Sequence, residues 1–112
     1  MVNLSIDFIV ESEDRNTKRL KLIFKNSSLD DIDTSYLLTE VGEKIIISDY
    51  YNNIIFDLSS VEHLSSSGFG SLMNIQKSAA KHNKTISFLL HENVKPVITV
   101  TNFEKMANIK FV

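Results

Sequence analysis

Alternation dominates the start of the chain. Leu4, Ile6, Phe8 and Val10 fall on one side of an extended segment, with Ser5 and Asp7 on the other. That period of two is the mark of a half-buried strand. Leu20, Leu22 and Phe24 then alternate with Arg19, Lys21 and Lys25. The polar run 11–17 between them reads as a solvated hairpin tip, so the two strands are expected to pair antiparallel. The period changes over residues 33–47, where Leu37, Leu38, Val41 and Ile45 recur at three and four. This predicts a helix with Asp33 or Thr34 as N-cap, weakened by Gly42. Residues 53–58 form an almost continuous apolar run, as expected of a central buried strand. Residues 66–82 give the clearest helix, with Phe69, Leu72, Met73, Gln76, Ala79 and Ala80 along one stripe. Lys77, Lys81 and His82 suit its C-terminal dipole, and Asn83 its left-handed cap. Another strand follows at 85–90. Asn93 is then placed to cap a short helix with Pro96 in its first turn, and Asn102 to end it. A last strand covers 109–112.

The order β-β-α-β-α-β-α-β implies an α/β fold with a mixed, mostly parallel sheet, right-handed crossovers and an antiparallel N-terminal strand. Sheets covered on both faces have strands that are apolar throughout. Most strands here are half polar, so the helices are expected mainly on one face of a sequentially ordered sheet.

Composition narrows the function classes. The 112 residues, 43% apolar and 23% charged, suit a single globular domain over 1–112. The net charge of −2 comes without a basic run, which argues against nucleic acid. Cysteine is absent, which removes disulfides, thiolate zinc sites, iron–sulfur clusters and cysteine nucleophiles. No stretch reaches the roughly 18 apolar residues of a membrane helix, and the N-terminus does not read as a signal peptide. The expected location is the cytoplasm. His63, His82 and His91 lack metal-ligand spacing, so no metal or cofactor is expected; His82 reads as a helix C-terminal cation and His63 as a surface residue.

Candidate chemistry gathers at 57–72, where Ser65, Ser66 and Ser67 precede Gly68 and Gly70 at the start of the clearest helix. A helix N-terminus offers unpaired N–H groups and partial positive charge, and glycines let other atoms approach. Both suit an anion, or a phosphate carried by one of the serines. Simple N-capping by one hydroxyl is the plainer reading. Asp57 is read as a carboxylate that orients the loop at a strand end. The run is neither a dinucleotide fingerprint, since Met73 stands where glycine is needed, nor a phosphate-binding loop. It is no nucleophile elbow, because Leu64 precedes Ser66 by two. Nothing orients a His63–Ser66 dyad, and no enzyme is expected. Phe69 at helical spacing with Leu72 is expected in the core; exposed, it would be an interface anchor.

These residues carry a resemblance. Asp57-Leu58-Ser59, Val61, Ser66-Ser67-Gly68, Gly70 and Leu72 resemble the signature of STAS domains, the anti-sigma-factor antagonist family. Leu29-Asp30 resembles that family's Gly-x-Leu-Asp stretch, with Ser27 in place of the glycine. Val97, Val100 and Asn102-Phe103 resemble its late helix. The resemblance implies a STAS-like fold and a regulatory binding protein of a partner-switching pathway. Its partner would be a serine kinase of the histidine-kinase-like ATPase type that is also an anti-sigma factor, with a PP2C-type phosphatase to reset the switch. Ser66 matches the phosphorylated serine, and Asp57, His63, Ser65, Ser66, Ser67, Gly68 and Phe69 would form the partner surface. The pattern departs at Ser65, where the family carries Asp, which makes Ser65 an alternative acceptor. It departs also at His63, usually apolar, and in ending at the last strand without a C-terminal helix. The second reading is an accessory subunit that is never phosphorylated and docks on a transporter ATPase or another signalling protein.

Overall fold

The computed structural model describes residues 8–14, 16–48 and 50–112. Among the described residues, seven strands and three α-helices follow one another as β1 (Phe8–Asp14), β2 (Arg19–Phe24), β3 (Ser28–Leu29), α1 (Ile32–Ile47), β4 (Asn53–Leu58), β5 (His63–Leu64), α2 (Ser66–Lys81), β6 (Thr85–Leu90), α3 (Lys95–Thr101) and β7 (Asn108–Phe111). The main sheet runs β1-β2-β4-β6-β7, in sequential order. β1 pairs antiparallel with β2, and the other pairs are parallel. The expected mixed sheet with an antiparallel first strand is what the chain forms.

The one-sided arrangement follows from the strand pattern. Leu20, Leu22 and Phe24, then Ile54, Phe56 and Leu58, then Ile86, Phe88 and Leu90 are all buried. The intervening Lys21, Ile23, Ile55, Asp57, Ser87 and Leu89 stay partly exposed. Parallel strands added in one direction, each through a right-handed crossover, put every crossover helix on the same face. The buried positions face those helices. Phe88 ties the layers together, its ring 5.8 Å from that of Phe56 and 5.9 Å from that of Phe103.

Several local expectations are corrected. Residues 4–7 of the first predicted strand lie outside the described residues, and β1 continues to Asp14 through a register shift between Val10 and Ser12. The polar run 11–17 is therefore mostly strand. Its turn is closed by Asp14, whose carboxylate accepts the N–H of Asn16 at 3.0 Å and of Thr17 at 3.2 Å. α1 begins earlier than predicted, and its N-cap is Asp31, not Asp33 or Thr34. Its core stripe is also rotated by one position, with Ser35, Leu38, Gly42 and Ile46 buried. Gly42 packs α1 tightly on α2: a Cβ there would lie 2.9 Å from Ile75. In α2 the predicted stripe misses Ile75, which is fully buried, while Ala80 is exposed. Asn83 and Asn102 take the left-handed conformation as expected. Asn93 is not the later cap; His91 caps a short 3-10 turn at Glu92–Val94 that leads into α3.

The Asp31 cap gives a pH prediction. Its carboxyl is held below the ordinary carboxylate range, first by the Thr34 N–H it accepts at 2.8 Å and then by the Thr34 side chain. A group whose folded value is depressed contributes stability that is present above its unfolded value and lost as pH falls through the folded one. Asp31→Ala is therefore expected to lower the urea midpoint at neutral pH, with the gap from wild type closing below about pH 4. A gap unchanged down to pH 2.5 would exclude the charged cap as its source.

Candidate functional site

The segment between β4 and α2 is built by short-range bonds that the sequence pattern does not announce. Asp57, the penultimate residue of β4, turns its carboxylate to its own loop, accepting the Ser59 N–H at 3.0 Å and the Ser59 hydroxyl at 2.6 Å. The chain turns at Leu58, whose carbonyl accepts the N–H of Val61, and Val61 plugs the core. Glu62 N–H donates to Ser27 O at 2.8 Å. β5 then pairs parallel with β3, setting His63 beside Ser28 and Leu64 beside Leu29. This two-stranded pairing was not predicted. Its only sequence signal is Leu29, a lone apolar residue in a polar stretch, and it is fully buried.

The pairing explains the serines and the glycine. Leu29 O accepts the Ser65 N–H at 3.0 Å, so β3 lies across the first turn of α2. A Cβ on Gly68 would come 2.3 Å from that same oxygen. Ser65 is the N-cap, its hydroxyl accepting the Gly68 N–H at 3.3 Å. The same hydroxyl lies 3.4 Å from Leu29 O and 2.8 Å from the Ser67 hydroxyl. A hydroxyl has one proton to donate and two lone pairs. Donation to Leu29 O, with acceptance from Gly68 and Ser67, uses all three. A carboxylate at 65 could accept from Gly68 and Ser67 but could give nothing to Leu29 O. Ser66, the first residue of the helix, is different. It is exposed, and its hydroxyl bonds to no other described residue.

The other expected site residues divide. His63 is exposed on β5, beside the site. Phe69 is half-buried, its ring edge-on to Phe103 with centroids 5.3 Å apart, so it packs into the core. His82 caps the far end of α2 through Ser78 O at 2.9 Å. His91 was not foreseen near the site. Its Nδ1 accepts the Asn93 N–H at 2.9 Å, and its Nε2 lies 3.8 Å from Glu62 Oε1. No group of three metal-ligating side chains occurs among the described residues. α2 has no acid in its first turn, whereas Asp30 and Asp31 follow β3 directly and are exposed. The first-turn N–H groups and helix dipole favour a negative charge at Ser66.

Fold and site together define a one-sided α/β module that presents a capped helix start and a free serine hydroxyl. The chain belongs to the STAS domain family, whose model matches residues 2–110. Among solved structures it is similar to a crystal structure of a candidate anti-sigma factor antagonist from Thermotoga maritima. The two share 25% identity over 82% of this chain and 79% of that one, with a TM-score of 0.63. The solution structure of the protein TM1081 covers all of this chain, 100%, and 83% of its own, at 23% identity and a TM-score of 0.68, a likeness of fold. No described helix is long and apolar enough to cross a membrane.

Proposed function

We propose that this chain is an anti-sigma-factor antagonist-like regulator without catalytic activity, whose partner binding is set by phosphorylation of Ser66. The observation that carries this is the contrast between two adjacent serines: the hydroxyl of Ser65 is consumed in capping α2, while that of Ser66 is exposed and unbonded. Phosphorylating Ser65 would break the cap and its contact with β3. A phosphate on Ser66 would leave both intact and add about −1.5 to −2 charges at a helix start. The fold would survive and the surface would change. The partner in this reading is a serine kinase of the histidine-kinase-like ATPase type that doubles as the anti-sigma factor, with a PP2C-type phosphatase restoring the hydroxyl, all in the cytoplasm. The likeness to an anti-sigma antagonist and the signature around Ser66 support it.

The test is an affinity pull-down from the source cells with wild-type and Ser66→Asp baits, followed by titration of the recovered ATPase. An unpaired charge in a close-fitting interface costs affinity. Ser66→Asp is expected to weaken binding by more than about 1 kcal/mol, or roughly fivefold. Recovery of transporter subunits, equally by both baits, would instead establish the unphosphorylated accessory subunit.

A further inference from the structure

The outer face of α1 and α2 carries large apolar side chains in water. Ile32 and Tyr36 stand on α1 with 75% and 68% exposure, and Ile47 continues the row. Across from them α2 offers small and polar positions. The upper part of the trough between the helices, about 310 Å³, is lined by Ile32, Tyr36, Ser67, Gly70 and Asn74 among others. Gly70 forms a true gap, since a Cβ there would meet nothing within 4 Å. The trough continues downward between Glu43 and Ile47 on one side and Lys77 and Lys81 on the other. One helix is thus a ridge of large side chains and its neighbour a groove.

Charge follows the same division. α1 carries Asp33, Glu40 and Glu43, with Asp31 as its cap, against one lysine, Lys44, which lies 3.5 Å from Glu40. α2 carries Lys77 and Lys81 and no acid. Both helices cross between parallel strands, so they run in the same direction. A two-fold axis parallel to them, in the plane of contact, lays α1 of one copy on α2 of the other. Acidic helix then meets basic helix twice, and Ile32 and Tyr36 descend over the Gly70 gap twice. The perpendicular choice of axis stacks acid on acid. A surface that complements itself under a two-fold axis is what an isologous dimer requires.

We propose that the α1–α2 face binds a second copy of this chain, in parallel register, with Tyr36 and Ile32 over Gly70 and Glu43 opposite Lys77. The surface lies beside Ser66 but needs no modification there. Each helix has 16 residues, about 24 Å of length, and two lie about 20 Å wide, so a dimer buries on the order of 1,000 Å² in total. That is the low end for specific interfaces, and the association is weak and salt-sensitive.

Sedimentation velocity of the purified chain at low salt, from 10 μM to 0.5 mM, tests it without any partner. Wild type is expected to associate reversibly, and Gly70→Gln, which has room to fold, to stay monomeric. Lys77→Glu sets acid against acid, and Glu43→Lys sets base against base. Each alone is expected to weaken association at least tenfold. An equimolar mixture of the two is expected to recover it to within about threefold, because each faulty helix then meets its complement. A wild type that remains monomeric throughout, a mixture that does not recover, or association unchanged by Gly70→Gln would overturn the proposal. The last outcome would point to the β7 edge or the open sheet face instead. Loss of the Ser66 switch would leave these results untouched, because they involve only this chain.

Discussion

Gly68→Ala is expected to cost up to about 2 kcal/mol of stability, although the residue lies in a helix, where alanine is ordinarily the better choice. The helix itself would gain roughly 1 kcal/mol from the change. Against this, the new Cβ would sit 2.3 Å from Leu29 O, 2.8 Å from Leu64 Cδ1 and 3.0 Å from Leu29 Cγ. The nearest of these is backbone, held by the β3–β5 pairing and by the Ser65 N–H. Neither α2 nor β3 can move away without breaking those bonds, and overpacking of this kind costs about 1–3 kcal/mol or more. Gly70→Ala, two residues on, is the control. Nothing lies near its Cβ, so it is expected to stabilise by about 0.5–1 kcal/mol. Urea unfolding of both variants measures the pair. Equal shifts of the same sign would show that helix propensity, not the crossing of β3, governs this turn. Gly68→Ala is also expected to expose the Ser65 N–H to faster hydrogen exchange, since the pairing that protects it would open.

The larger effect is expected at Phe103. Phe103→Ala should cost about 3–5 kcal/mol, in the usual range for an aromatic removed from a core. Phe103 is 1% exposed, and its ring meets Phe69 of α2 on one side and Phe88 of β6 on the other. Its loss leaves a cavity between the site helix and the sheet that the rigid 3-10 turn Phe103–Lys105 cannot fill. Against a total stability of about 5–15 kcal/mol, this is enough to place the variant near unfolding. The check is a denaturation midpoint together with near-ultraviolet circular dichroism, which reports the packed rings. A loss under about 1.5 kcal/mol would mean that α3 and its neighbours collapse into the space, and that α2 does not depend on Phe103 for its seat.

Phe103 and Gly68 also show where sequence reading stops. The alternation in β2, the apolar run of β4 and the stripes of the helices carry the fold, because each burial pattern repeats within a few residues. That was sufficient for the strand order, the antiparallel first pair and the one-sided helical layer. The boundaries of β4 and β6 are as predicted, since both are buried strands between turn signals. The helix cap of α1 is displaced to Asp31 because several neighbouring residues could cap equally well, and only the packing of Leu38 and Ile46 selects the phase.

For the site, the sequence alone determined that hydroxyls and glycines meet at the start of a helix following a buried strand. It did not determine which hydroxyl is spent and which is free. That decision belongs to Leu29, 36 residues away from Ser65 in the chain, whose carbonyl takes the Ser65 N–H and lies within reach of its hydroxyl. Short two-residue pairings such as β3 with β5 have no periodicity to read, because they contain less than one repeat of any pattern. Phe103 likewise sits in a 3-10 turn, where no periodicity announces burial, and it becomes core only because Phe69 and Phe88 converge on it. Local propensity wrote the elements of this protein; the long-range contacts of Leu29 and Phe103, made only when the layers close, decided which atoms of its site are left open to a partner.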